Sequence, residues 1–477
     1  MTPKQTDTYD VLVIGGGAAG ENAADVAARR GLEVALVEHS LLGGECTYWA
    51  CMPSKALLRP GDALDALRRV PGVAGRDEGI DVAAALERRD ALAANWDDSG
   101  QVEWLEGAGV DLIRGHGRFV GERRINVTGE DSITSYEARR AVVVATGSKP
   151  WFPPIDGLDE VEVWDSSDAT SAQDVPRRLL VIGGGVVGVE MSQAWKWLGA
   201  EEVTLLHHRE RLIDGEEAFV GEELRSGLEK TGVIVHTDAT TEKLRHSSGD
   251  GRIVATVRLG DDTTAEIEAD QVLMATGRRP NTSDLGAESV GLEPGEAIDV
   301  DDHLRATSVE GGWLYAVGDV NGRHPLTHSG KYQARIAGGH IAGADTSAWG
   351  DQMAPPRVIF TSPTVAAVGL TESRAREDGI EVRTVEHDIG KIAGASTLGR
   401  GYHGTCKLVV DAAKGTIVGA TFVGPHTGDL IHAATIAIVG EVPLQKLWHA
   451  IPSFPTLSEV WLRLLESYRD RFDEVFR

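Results

Sequence analysis

The chain has 477 residues with a formal net charge of −26, 57 glycines and only three cysteines. Its length exceeds one ordinary core, so about two to four domains are expected, and its composition fits a globular α/β protein with many tight turns. The acidic balance leaves no basic stripe for nucleic acid, three cysteines make no disulfide framework, and no apolar run approaches the ~20 residues of a membrane span.

The opening residues to Asp10 are polar and carry no secretory signal, so a cytoplasmic location is expected. Val11-Leu12-Val13-Ile14 is the continuous apolar run of a buried parallel strand. Gly15, Gly17 and Gly20 follow in Gly-x-Gly-x-x-Gly spacing, then an Ala-rich helix through Arg30 and a second strand over 34–37 that ends at Glu38. The glycines let the backbone turn and approach a pyrophosphate at the helix N-terminus, and Glu38 is placed to accept from ribose hydroxyls. Glycines alone are weak evidence. Strand, glycines, helix, strand and acid in register point to a dinucleotide site.

Next comes Gly43-Gly44-Glu45-Cys46-Thr47-Tyr48-Trp49-Ala50-Cys51-Met52-Pro53-Ser54-Lys55. A Gly-rich turn opening a helix puts Cys46 near the helix N-terminus, where the partial positive charge favours a thiolate. Residues five apart do not share one face of a regular helix. A disulfide between the two cysteines therefore implies a distorted first turn, and strained, exposed disulfides are the reactive ones. The alternative is two unpaired thiols in a reduced cytoplasm.

This stretch resembles the redox site of the flavoprotein disulfide reductases, the class I pyridine nucleotide-disulfide oxidoreductase family that includes dihydrolipoamide dehydrogenase, glutathione reductase and mercuric reductase. Their pattern is Gly-Gly-x-Cys-x4-Cys-x-Pro-Ser/Thr-Lys. The resemblance implies a redox-active Cys46–Cys51 disulfide. Cys51 would face the flavin, Cys46 would exchange with substrate, and Lys55 and Gly44 would lie in the flavin site.

Residues 56–70 and 82–95 read as helices, with Trp96 and Trp104 as packing residues. Ala145-Thr146-Gly147 closes one strand and recurs as Ala275-Thr276-Gly277. The repeat points to two similarly built domains. By resemblance such turns mark the crossings between flavin and nicotinamide domains, which brings Thr146, Gly147 and Gly277 to cofactor. Between them stands a second unit: a strand over 179–182, then Gly183, Gly185 and Gly188, a helix through Gly199, and a strand over 203–206. Family order makes FAD the first dinucleotide and NAD(P) the second. Glu190 matches the family glutamate that pairs with the lysine after the cysteines, here Lys55. No acid stands at His207 to bond a ribose 2′-hydroxyl and repel a 2′-phosphate. Arg209 and Arg211 are placed to hold a phosphate, so NADPH is expected over NADH.

Gly318-Asp319 lies in what resembles the second FAD signature, with Asp319 on the ribityl hydroxyls. Leu326-Thr327-His328 occupies the place of the segment beneath the flavin ring. Residues 349–477 resemble the interface domain that makes the homodimer; Cys406 reads as a core residue within a strand there. The family closes on His-Pro-Thr-x-x-Glu. This chain has Phe454-Pro455-Thr456-Leu457-Ser458-Glu459, so Glu459 is in register and the catalytic histidine is replaced.

The expected fold is α/β: two doubly wound, Rossmann-like domains plus a C-terminal α+β dimerisation domain. Its spans are 1–150 and 280–348 for FAD, 151–279 for NAD(P), and 349–477 for the interface. The expected protein is an FAD-dependent NAD(P)H oxidoreductase, like dihydrolipoamide dehydrogenase, serving a small-molecule electron acceptor. The alternatives are a quinone, metal-ion or other acceptor reductase without efficient dithiol chemistry, and a flavoprotein redox sensor or binding module. No metal site is expected.

Overall fold

The computed structural model describes residues 7–75, 78–247 and 251–472; the polar start of the chain lies outside them. The chain divides into two compact units, and the division falls inside one helix, between Pro53 and Ser54. Unit 1 comprises 1–53, 90–151 and 277–352; unit 2 comprises 54–89, 152–276 and 353–477.

Unit 1 is built on a sheet of seven strands. Its centre is β1 (Asp7–Ile14), joined through α1 (Ala18–Arg29) to the parallel β2 (Val34–Glu38). Val13 aligns with Leu36 on one side and with Val143 of the strand Ile133–Val144 on the other. Leu314–Ala316 returns late in the chain to pair parallel with that same strand. The apolar runs sit at the centre because both faces of a parallel sheet are covered. Small residues then let helices approach: a Cβ on Gly338 of the helix Thr327–Ile341 would lie 2.9 Å from the Ala23 carbonyl of α1.

Unit 2 repeats the plan. β3 (Arg178–Ile182), α4 (Val186–Trp197) and β4 (Glu202–Leu206) form the strand–helix–strand core of a four-stranded parallel sheet. A three-stranded antiparallel sheet spans Thr240–His246 to Thr264–Ala269. The last quarter of the chain gives a five-stranded antiparallel sheet, packed under the helices Thr427–Val439 and Glu459–Phe472. Cys406 is a fully buried member of that core, as its strand pattern implied. The α/β class and the Rossmann-like repeat follow the sequence pattern. Trp104 is partly exposed, at 39%. Among the described residues, no helix is long and apolar enough to cross a membrane.

Candidate active site

The two glycine loops are near copies. Gly15 and Gly183 have φ of +102° and +120°, and a Cβ on either would strike an alanine carbonyl, Ala145 at 2.4 Å or Ala275 at 2.2 Å. Those alanines open the two Ala-Thr-Gly turns, so each turn is packed against its own loop. Gly20 and Gly188 carry the close helix–strand packing, since a Cβ there would lie 1.9 or 1.8 Å from the Gly15 or Gly183 carbonyl. Gly17 and Gly185 instead face open space at the helix N-termini, with nothing nearer than 4.0 Å at Gly17 and nothing within 4 Å at Gly185. An open helix start with free N–H groups is a cradle for a pyrophosphate.

Glu38 closes the first loop. Its Oε2 accepts the Gly16 N–H at 2.7 Å and its Oε1 the Ser40 N–H at 2.7 Å. Burial opposes its charge, but His39 and these two N–H groups outweigh that and hold the carboxyl below its ordinary value. Asp319 sits in the short helix Gly318–Asn321, where its Oδ2 accepts from Ser148 Oγ at 2.6 Å. Thr146 Oγ1 donates to the Asn281 carbonyl at 2.8 Å, and Gly147 and Gly277 both have positive φ.

The redox stretch is split between two helices, α2 (Gly44–Tyr48) and α3 (Cys51–Arg69), with Trp49 and Ala50 between them. Cys46 lies midway in the short helix, and Cys51 opens the long one. The distortion expected from the five-residue spacing is this break. It lets the two side chains meet, and their thiols share a hydrogen bond. Gly44 is needed where the stretch crosses the first glycine loop: its φ is +66°, and a Cβ there would lie 2.7 Å from Gly17 Cα.

Thr327, at the start of its helix, bridges the sulfurs. Its Oγ1 donates to Cys46 Sγ at 3.1 Å and lies 3.3 Å from Cys51 Sγ. The expectation of a thiolate at Cys46 is not met. The hydrogen bond with Cys51, then burial, push the Cys46 thiol well up, against weaker pulls from Thr327 and Lys331. A five-residue helix has too small a dipole to outweigh an adjacent sulfur.

Lys55 and Glu190 come together in unit 2. Lys55 Nζ donates to Glu190 Oε2 at 2.8 Å and sits 4.9 Å above the Phe360 ring, while Glu190 Oε1 accepts the Phe360 N–H at 2.9 Å. Arg209 pairs with Asp214 through Nη1, with its side chain 59% exposed. His207 is buried at the end of β4, its Nδ1 accepting the Gly184 N–H at 3.1 Å.

Glu459 is buried, with Oε1 taking Arg463 Nη2 at 2.6 Å and Oε2 the Ala393 N–H at 3.3 Å. Phe454 is 76% exposed. Just beyond it, Thr456, Leu457 and Ser458 line a cleft of about 280 Å³ with Gly394, His426 and Asp429. Among the described residues, no group of three or more His, Cys, Asp or Glu could hold a metal ion.

Three polar residues were missed from sequence. Thr327 lay in a segment assigned to the flavin without a role of its own. Arg278, directly after the second Ala-Thr-Gly, donates to Glu45 Oε2 at 2.5 Å, to the Ser148 carbonyl at 2.7 Å and, through Nε, to Ser148 Oγ at 2.8 Å. Ser148 passes the chain to Asp319. The residue beside Cys46 is thus tied by hydrogen bonds to the aspartate of the second flavin signature.

Two dinucleotide cradles, a flavin-type aspartate and a dithiol in one chain define a class of flavin-linked dithiol oxidoreductase. Residues 9–334 match the model for pyridine nucleotide-disulphide oxidoreductases, and 355–464 match that family's dimerisation domain. The chain is 33% identical to a mercuric reductase of Staphylococcus aureus over 94% of its length and 81% of that protein. It is 35% identical to a dihydrolipoyl dehydrogenase of Thermus scotoductus over 96% of its length and 97% of that protein. In fold it is similar to the HOCl-induced flavoprotein disulfide reductase RclA from Escherichia coli, with a TM-score of 0.82, 25% identity, and coverage of 96% of this chain and 99% of that one. The chain belongs to the pyridine nucleotide-disulphide oxidoreductase family. It is an FAD-dependent NAD(P)H oxidoreductase, and its glycine loops, Glu38 and Asp319 fit FAD at the first cradle and NAD(P)H at the second.

Proposed function

We propose that this enzyme reduces a small electron acceptor, such as a quinone or a metal ion, and is a poor catalyst of dithiol–disulfide exchange. Phe454 carries the reading: it stands where the family pattern has its histidine base, and Glu459, the base's orienting partner, is held by Arg463 and Ala393. Bound FAD supplies hydride acceptance from the nicotinamide and onward transfer of the electrons. The chain's own residues hold the pyrophosphates at Gly17 and Gly185, fix Lys55 through Glu190, and keep the two sulfurs on the Thr327 hydroxyl. Converting the Cys46 and Cys51 thiols to a disulfide releases two protons and two electrons. No imidazole at 454 takes either proton, and the raised Cys46 thiol resists giving one up. Acceptors that draw electrons without thiol proton transfer avoid this barrier.

The nucleotide is NADPH or NADH, with no strand-end acid to repel a 2′-phosphate. The enzyme acts as a homodimer in the cytoplasm. Large apolar side chains of the dimerisation domain support the first point, Ile451 being 91% exposed and Ile436 57%, and a chain of three cysteines, too few for a disulfide framework, suits a reducing compartment. The test is a steady-state panel with NADPH as donor and quinones, metal ions, oxidised low-molecular-weight thiols and lipoamide as acceptors. Turnover with a quinone or metal ion well above lipoamide supports the reading, and lipoamide as the best acceptor refutes it.

A further inference from the structure

Thr327 opens the helix that meets the two sulfurs, and Gln333, further along that helix, meets the turn that carries Asp319. Gln333 is fully buried, and both ends of its amide are engaged. Its Oε1 accepts the Gly318 N–H at 2.8 Å and Asn321 Nδ2 at 2.8 Å, and its Nε2 donates to Asp351 Oδ2 at 2.8 Å. The amide thus grips the short helix Gly318–Asn321 at its first and last residues. The backbone there has little room: Gly318 has φ of +78°, and a Cβ on Gly330, one turn before Gln333, would lie 3.3 Å from Gly318 Cα.

Behind the amide stands Asp351, 3% exposed, with no hydrogen-bond partner at Oδ1. Arg323 Nη1 is 3.7 Å from its Oδ2, and Arg323 Nη2 is given to the Val300 and Asp301 carbonyls at 2.7 and 3.2 Å. A buried carboxylate so loosely paired depends on the bond that Gln333 donates. The charged or titratable groups around the amide are Asp351, Arg323, Tyr332 beside Asp351 and, across the turn, Asp319. The position asks for two acceptor lone pairs and a donor. A primary amide supplies both, whereas a carboxylate has no donor and a neutral imidazole accepts at one nitrogen only.

We propose that Gln333 is the positioning residue of the flavin aspartate. Anchored on Asp351, it fixes the Gly318–Asp319 turn, and so the place from which Asp319, held by Ser148 Oγ, meets FAD. The inference rests on the reading of Asp319 as a residue that holds FAD, and it is independent of which acceptor the enzyme reduces.

The test follows FAD release from diluted holoenzyme by the rise in flavin fluorescence, with far-ultraviolet circular dichroism as the check of folding. Gln333→Glu sets two carboxylates at hydrogen-bond distance, where both cannot ionise without cost. At about pH 5.5 one shared proton rebuilds the bond to position 351, and release should stay within about threefold of wild type at the same pH. At about pH 9 that proton is lost, and release should be at least about tenfold faster than in wild type. The double variant Gln333→Glu/Asp351→Asn reverses donor and acceptor, and the glutamate still accepts from Gly318 and Asn321. Its release should return to within about threefold of wild type at both pH values, a rescue that lost packing does not give. Asp319→Ala should itself release FAD at least about tenfold faster than wild type. Gln333→Glu releasing FAD at the wild-type rate at both pH values overturns the proposal, as does an equal acceleration at both, or a double variant no slower than the single one. Wild-type release in Asp319→Ala overturns the reading of Asp319 and the proposal with it.

Discussion

Arg463 Nη2 donates to Glu459 Oε1 at 2.6 Å, four residues along the same helix. In a protein with histidine at 454, that carboxylate would be available to orient an imidazole. Here a cation from its own helix takes it. On the proposed reading, phenylalanine at 454 and Arg463 on Glu459 together leave this segment without an acid–base pair for the thiols.

Restoring it should therefore take two changes. Phe454→His supplies an imidazole, and Arg463→Gln frees Glu459. General acid–base assistance is typically worth ~10²–10⁴-fold. The single variant should recover about tenfold in dihydrolipoamide oxidation by NAD(P)⁺, and the double variant clearly more. Dye reduction from NADPH should stay within about twofold in both. Parallel gains in the two assays would mean that the histidine acts elsewhere than on the thiols.

Thr327 touches both sulfurs and pulls the Cys46 pKa down against stronger opposing effects. Without its hydroxyl, the thiolate loses a hydrogen bond of the charge-assisted kind, worth about 1.5–3 kcal/mol. Thr327→Ala should slow iodoacetamide alkylation of Cys46 in the reduced protein by about tenfold at pH 7.5, and Thr327→Ser should return it. Mass spectrometry of the labelled peptide reads the rate site by site. Alanine and wild type alkylating alike would remove Thr327 from the redox site.

Much of this was legible in the sequence because glycine spacing, strand runs and the Pro-Ser-Lys tail are local signals. The pairing of Lys55 with Glu190, across 135 positions, could be proposed because each belongs to its own short motif. A distorted turn between the cysteines was foreseen from their spacing, but not its place between α2 and α3, since a helix pattern does not say where its hydrogen-bond ladder stops. The partner of Arg209 was hidden for a related reason: Asp214 lies in a turn whose geometry no periodicity reports. Thr327 carried no signal beyond position, because a hydroxyl takes its role only from what the fold sets opposite it.

Glu21 gives a pH test of the flavin half. It is 8% exposed on α1, its Oε1 lacks a hydrogen-bond partner, and burial pushes its pKa up from 4.5 to about 7, with Glu38 adding and Lys331 opposing. A carboxyl raised in the folded state binds its proton more tightly there than in the unfolded chain. Its contribution is fully present below pH 4.5 and is lost as pH rises toward 7. Above that it costs about 3 kcal/mol at most. Phosphates bound at the same helix start act in the same direction. Glu21→Gln should therefore raise the Tm of the holoenzyme at about pH 8 and leave it nearly unchanged at about pH 5. An equal gain at both pH values would show that packing, not charge, sets the effect.

The most direct measurement is the re-oxidation of NADPH-reduced wild-type enzyme in a stopped-flow instrument, followed by flavin absorbance, against lipoamide in one series and a water-soluble quinone in another. It isolates the half-reaction in which the missing base would act. With Phe454 in place, the quinone should re-oxidise the enzyme at least ~10²-fold faster than lipoamide at equal concentration, the low end of what general acid–base help supplies. Lipoamide re-oxidising the enzyme as fast as the quinone would contradict the account and require another proton carrier at the Cys46–Cys51 pair.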